Sequence, residues 1–166
     1  MKELMGQSFT AKLSCVGGAH KGAVIFSESD SPGWSGWLEV LKDASRAARL
    51  KFTFLKTIGN RHQYAITGAD DAGYYAKAAL GVSFNGYLGM YHNAKVENVW
   101  TLECGEDKGK LTGFWLRDQD GKPVLLHEVW HDTGTPLVPL VSGNPVLNVA
   151  KGAVAHFLPI EPRVVS

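Results

Sequence analysis

The run His127-Glu-Val-Trp-His131 is the stretch whose residue types and spacing match a catalytic pattern most directly. It fits H-E-x-x-H. In that pattern one helical turn sets two imidazoles ~6 Å apart on one face to share a zinc ion, and the glutamate serves as general base on the metal-bound water. The chemistry requires a helix. Pro123-Val-Leu-Leu126 leads into the motif as a strand and Thr133-Gly-Thr-Pro136 follows at once. In an extended strand the two histidines stand ~13 Å apart and cannot share one ion. With no third ligand in evidence, the segment is read as polar residues leaving a strand, and neither a metal nor a catalytic residue is assigned.

Other reactive residue types fare no better. Cys15 and Cys104 lack a nearby helix N-terminus or a clear His partner in sequence, so neither thiol is expected to be activated. Two cysteines do not make a disulfide framework, and two buried thiols are expected. No serine sits in a G-x-S-x-G elbow. The glycines of Cys15-Val-Gly-Gly-Ala-His-Lys-Gly22 lack phosphate-loop spacing and read as a hairpin turn. Asp70-Asp71 and Asp118 with Asp120 read as solvated turn carboxylates. No cofactor is implied, and the chain is expected not to be an enzyme.

Binding chemistry is better represented. Ser31-Pro-Gly-Trp-Ser-Gly-Trp37 places Trp34 and Trp37 in and beside a Gly- and Ser-rich loop, and Phe84, Tyr87 and Tyr91 occupy a similar stretch further on. Flat aromatic faces cover the apolar face of a sugar while a few polar groups fix its hydroxyls. Trp37 and Tyr87 share a pattern position and are expected to be structural. Trp34 has no such duty, so a ligand is the natural cover for it. The candidate ligand-binding residues are Asp30, Trp34, Asn85, His92 and Asn93. One or two sites are expected rather than three, because the corresponding stretch Thr135-Pro-Leu-Val-Pro-Leu140 carries no aromatic residue.

The elements that must hold these residues read as many short strands. Three segments share an order of features. Alternating runs open them at Phe9-Thr-Ala-Lys-Leu13, Gln63-Tyr-Ala-Ile66 and Leu111-Thr-Gly-Phe-Trp-Leu116. Gly-led strands follow at Gly22–Phe26, Gly73–Ala76 and Gly121–Leu126. Third strands are read at Gly36–Leu41, Gly86–Tyr91 and Pro145–Ala150, and closing strands at Leu50–Leu55, Val99–Leu102 and His156–Ile160. Period-2 alternation puts Phe52 and Phe54 on one face. Lys56-Thr-Ile-Gly-Asn-Arg61 and Glu103–Lys110 read as hairpin junctions, and Asp43-Ala-Ser-Arg-Ala-Ala as one helical turn. The expected core comprises Leu13, Phe26, Leu38, Phe54, Ile66, Leu88, Trp100, Leu102, Leu116, Leu147 and Phe157.

This order resembles the β-trefoil superfamily. Trp100-Thr-Leu-Glu-Cys, Gly109-Lys-Leu-Thr-Gly-Phe-Trp-Leu-Arg-Asp and Gly121-Lys look like the fourth-to-first strand junction of fascin-like and ricin-B-like domains. The resemblance implies an all-β, single-domain β-trefoil over 1–166, with three pseudo-repeats of four strands at approximately 7–56, 62–105 and 110–161. A β-sandwich or another barrel is the competing architecture. The Q-x-W signature of ricin-type lectins is missing before Trp100, Phe54 and Phe157, so none of that family's binding residues is carried over.

Composition narrows the function further. The 166 residues suit one domain. Lys plus Arg number 17 against 16 Asp plus Glu, which argues against a nucleic-acid partner. No apolar run approaches the ~20 residues that span a bilayer, and Met1–Gly6 shows no secretory signal, so a cytoplasmic or non-classically secreted protein is expected. These readings point to a non-enzymatic, lectin-like domain whose partner is a glycan or glycoconjugate. The alternative is a protein-interaction module, such as a protease inhibitor, an actin-binding protein or a toxin or insecticidal defence protein, acting through loops 27–36 and 131–144.

Overall fold

The structure is a computed structural model that describes residues 3–16, 20–27, 36–107, 110–127 and 144–165. These residues form strands β1 (Phe9–Cys15), β2 (Gly22–Phe26), β3 (Leu38–Leu41), β4 (Arg49–Ile58), β5 (Arg61–Gly68), β6 (Ala79–Val82), β7 (Leu88–Tyr91), β8 (Trp100–Asp107), β9 (Lys110–Arg117), β10 (Leu125–His127), β11 (Val146–Asn148), β12 (Ala153–Val154) and β13 (Phe157–Val164). Two 3-10 turns, Ala44–Arg46 and Gly73–Tyr75, complete the elements, and among the described residues there is no α-helix. The all-β class therefore holds, and no helix is long and apolar enough to cross a membrane among the described residues.

The β-trefoil of three pseudo-repeats with four strands each is corrected. Thirteen strands do not divide into three fours: six close into an antiparallel barrel and seven lie outside it. The surplus arises late in the chain. Pro123 bridges Arg117 at the end of β9 and the Val124 N–H donates to the Leu116 carbonyl at 2.8 Å, after which β10 pairs with β11 from Leu125 to His127. The two-residue strand β12 then adds to the open edge of β10, with Leu126 opposite Ala153. A second departure lies at 73–76, expected as a strand. Gly73 adopts a left-handed φ of 59°, Gly73–Tyr75 coils into a 3-10 turn, and the strand begins at Ala79.

The barrel closes in the order β1–β4–β5–β8–β9–β13 and back to β1. Each of these strands contributes a fully buried ring: Phe9, Phe52, Tyr64, Trp100, Phe114 and Phe157. Phe9 stacks on Phe52 at 4.5 Å, Tyr64 meets both edge-on, and Phe114 touches Phe52 and Phe157. The hairpin β4–β5 turns at Gly59-Asn60, with Ile58 opposite Arg61. Phe54 stays in register opposite Tyr64 and packs edge-on against it at 5.7 Å, but it adjoins the exposed end of β4 and is half-buried while Phe52 is fully buried. Phe26 likewise packs against the core from a half-buried position, and the other nine expected core residues are buried. The Trp100 indole Nε1 donates to the Leu80 carbonyl at 3.1 Å and to Asn98 Oδ1 at 3.0 Å, tying β8 to β6.

One ionic knot crosses the barrel seam. Buried Arg49 on β4 donates to Glu161 Oε2 at 2.7 Å and to the Glu161 carbonyl at 3.1 Å, and pairs with Asp71 at 3.2 Å. Lys12 on β1 also reaches Glu161, at 3.2 Å. The hydrogen bond and charge of Lys12, then those of Arg49, hold the Glu161 carboxyl below its usual range.

Two outcomes test this frame. Trp100→Ala should lower unfolding stability by ~3–5 kcal/mol in denaturant melts, and a loss under about 1 kcal/mol would contradict the packing. A depressed folded pKa stabilises fully above the unfolded carboxylate value and ceases to do so as pH falls through the folded one. Glu161→Gln should therefore be less stable than wild type at neutral pH and converge with it in acid. A stability gap that stays constant through the carboxylate range would refute that role for Glu161.

Candidate functional site

The outer hairpins meet one another through single backbone contacts. Gly36 ends the β2–β3 loop with a φ of 95°, and its carbonyl accepts from the Met90 N–H at 2.9 Å. Trp37 then bridges Gly89. The contact depends on glycine at both places. A Cβ on Gly36 would lie 2.8 Å from the Tyr75 ring, and one on Gly89 would lie 3.2 Å from the Trp37 ring.

This junction borders a cleft of about 350 Å³. Trp37 comes from the first hairpin, Tyr74 and Tyr75 from the 3-10 turn after β5, and Tyr91, His92 and Asn93 from the end of β7 and the loop beyond it. Tyr75 is buried and packs edge-on against Phe26, which fixes the turn to the core. Tyr74 is 78% exposed, yet it is not loose: it meets Tyr75 at 5.2 Å and His92 at 5.0 Å, both edge-on. His92 Nε2 lies 2.7 Å from the Tyr74 carbonyl. A carbonyl only accepts, so Nε2 carries the hydrogen, and in a neutral ring Nδ1 is left as the acceptor. Burial pushes the Tyr91 hydroxyl pKa up, which keeps it a neutral phenol that can donate. Asn93 is exposed, and its amide holds no hydrogen bond among the described residues. The cleft thus combines broad aromatic faces with an imidazole acceptor, a phenol and an unengaged amide.

His92 and Asn93, two of the residues picked from the sequence, come together here. Asn85 does not: it lines a different cleft. Asp30 and Trp34 lie outside the described residues, as do most of loops 27–36 and 131–144. His127 ends strand β10, opposite Val146, and Glu128 to His131 lie outside the described residues. Cys15 is buried and Cys104 half-buried, and both are thiols. Sequence reasoning missed Tyr74 and Tyr75. The signal was present in Asp70-Asp-Ala-Gly73, where three turn-favouring residues, Asp70, Asp71 and Gly73, stand immediately before two tyrosines and put the pair in a loop rather than a strand.

No family model matches the sequence, and no curated protein matches it either. The site therefore rests on its own geometry.

That geometry predicts a narrow tolerance at the junction. Gly36→Ala has to strain the backbone and displace the Tyr75 ring, so it should cost ~1–3 kcal/mol in a denaturant melt. A variant as stable as wild type would show that the junction is not held as described.

Proposed function

We propose that the chain is a non-enzymatic carbohydrate-binding domain, and that the cleft between Trp37, Tyr74 and His92 receives one saccharide unit of a glycan or glycoconjugate. The observation that carries this reading is Tyr74, a mostly exposed aromatic ring held in a fixed pose beside His92. An exposed ring packed edge-on by two neighbours has its rotamers restricted in part, which lowers the entropy that stacking a sugar on it costs. Around it, His92 Nδ1, the Tyr91 hydroxyl and the Asn93 amide offer both acceptors and donors, which suits hydroxyls that are themselves both. A volume of about 350 Å³ falls at the small end of the ~300–1,000 Å³ typical of ligand sites, the right scale for one sugar ring rather than an extended chain.

The same inventory favours binding over cleavage. Glycoside hydrolysis uses a pair of carboxylates flanking the bond. The described residues that line this cleft include none.

Tyr74→Ala should weaken binding to the preferred oligosaccharide at least ~10-fold by isothermal titration. Because Tyr74 is largely exposed, the melting behaviour should change by no more than about 1 kcal/mol. Undiminished affinity in a folded Tyr74→Ala protein would remove the cleft from the account.

A further inference from the structure

The junction that builds the aromatic cleft is used a second time. Gly86 ends the β6–β7 loop with a φ of 87°, its carbonyl accepts from the Val149 N–H at 2.9 Å, and Tyr87 bridges Asn148. Gly36, Met90, Trp37 and Gly89 stand in the same relation one hairpin earlier. Beside the second junction lies a larger cleft, of about 520 Å³, between residues 82–86, 95–99 and 118–122.

Its chemistry is distinct. Val82, Val96 and the buried Trp100 give it apolar walls, and Phe84 stands fully exposed on its rim. A fully exposed phenylalanine in a Ser-Phe-Asn-Gly turn does nothing for the core, so the fold does not account for it. The polar rim is mixed. Asn85, Lys95, Glu97 and Gln119 make no side-chain hydrogen bond among the described residues. Asp118 is already spent, its carboxylate accepting from the Lys122 N–H at 2.8 Å, and Asp120 pairs loosely with Lys122 at 3.9 Å.

We infer that this second cleft is an independent site for a neutral saccharide, so that one chain holds two sugars at once. The lining mixes donors and acceptors, with two lysines set against three carboxylates. A charged ligand of either sign would meet a like charge there, whereas a neutral hydroxyl pairs with each. Phe84 supplies the stacking face. The choice of ligand class rests on the function proposed above, while the location rests on the cleft and on Phe84.

The test is amide chemical-shift mapping on the labelled full chain with methyl glycosides of galactose, glucose, mannose and N-acetylglucosamine at tens of millimolar, in wild type, Tyr74→Ala and Phe84→Ala. The expected result is two separable sets of shifts. Amides of Asn85, Glu97 and Gln119 move in wild type and Tyr74→Ala but at least ~10-fold less in Phe84→Ala, and those of His92 and Asn93 show the reverse dependence. Shifts confined to His92 and Asn93 would overturn the second site while leaving the proposed function standing. Shifts confined to the second cleft would overturn double occupancy together with the aromatic site, and silence at both would overturn the two readings together. Loss of both sets in Tyr74→Ala alone would show one coupled site and refute independence.

Discussion

The contact on which the rest of the molecule depends is the stack of Phe9 on Phe52, 4.5 Å apart and nearly parallel, with Tyr64 set edge-on against both. Phe9 belongs to the first strand and Phe52 to the fourth, and Phe114 carries the same cluster on to Phe157 in the last. Rings from distant parts of the chain therefore meet in one place, and they do so only when the barrel closes. Burying each such side chain contributes ~1.5–3 kcal/mol, and each well-oriented ring pair adds ~0.5–1.5 kcal/mol. These are the gains that offset the entropy of bringing the two ends of the chain side by side as β1 and β13.

Closure of the barrel fixes where the outer hairpins leave it, and the hairpins then find each other. β3 meets β7 through Trp37 and Gly89, β7 meets β11 through Tyr87 and Asn148, and β11 meets β3 through Val146 and Glu39. The clefts are by-products of these junctions. A glycine at the end of a loop lets one backbone approach the next, and the space beside the contact is lined by whatever the neighbouring turns present. At the first junction the turns present tyrosines and a histidine, and at the second a phenylalanine and a mixed polar rim. Cleft chemistry is thus set largely by exposed turn residues such as Tyr74, His92 and Phe84, while cleft geometry is set by the barrel. Such a division lets the exposed cleft residues vary without threatening the fold.

Much of the frame was legible locally. Period-2 alternation located the barrel strands, Gly59-Asn60 announced its hairpin, and Asp43 marked the 3-10 turn that its carboxylate caps. Trp37 and Tyr87 were recognisable as matched positions, and the structure gives both the same bridging duty. What failed was non-local or masked by propensity. Gly73-Tyr-Tyr-Ala76 read as a strand because tyrosine favours strands, and the left-handed φ of Gly73 overrode that preference. The last segment was counted as four strands because the two-residue β12 has no signature in a pattern of apolar residues. Phe54 lies on the face expected, opposite Tyr64, but next to the exposed Leu55–Ile58 end of β4, so it is half-buried where full burial was expected. For the site, His92 and Asn93 were legible as polar groups near aromatics. Their partner Tyr74 was not, since a turn after β5 and a loop after β7 meet only in three dimensions.

The central claim is that this barrel displays saccharide-binding clefts, and the most direct measurement is a broad glycan array probed with the purified, labelled protein. The account predicts selective binding to a restricted set of glycans that free sugar competes away. Uniform silence across the array, with the protein shown to be folded, would contradict it and turn attention to protein partners.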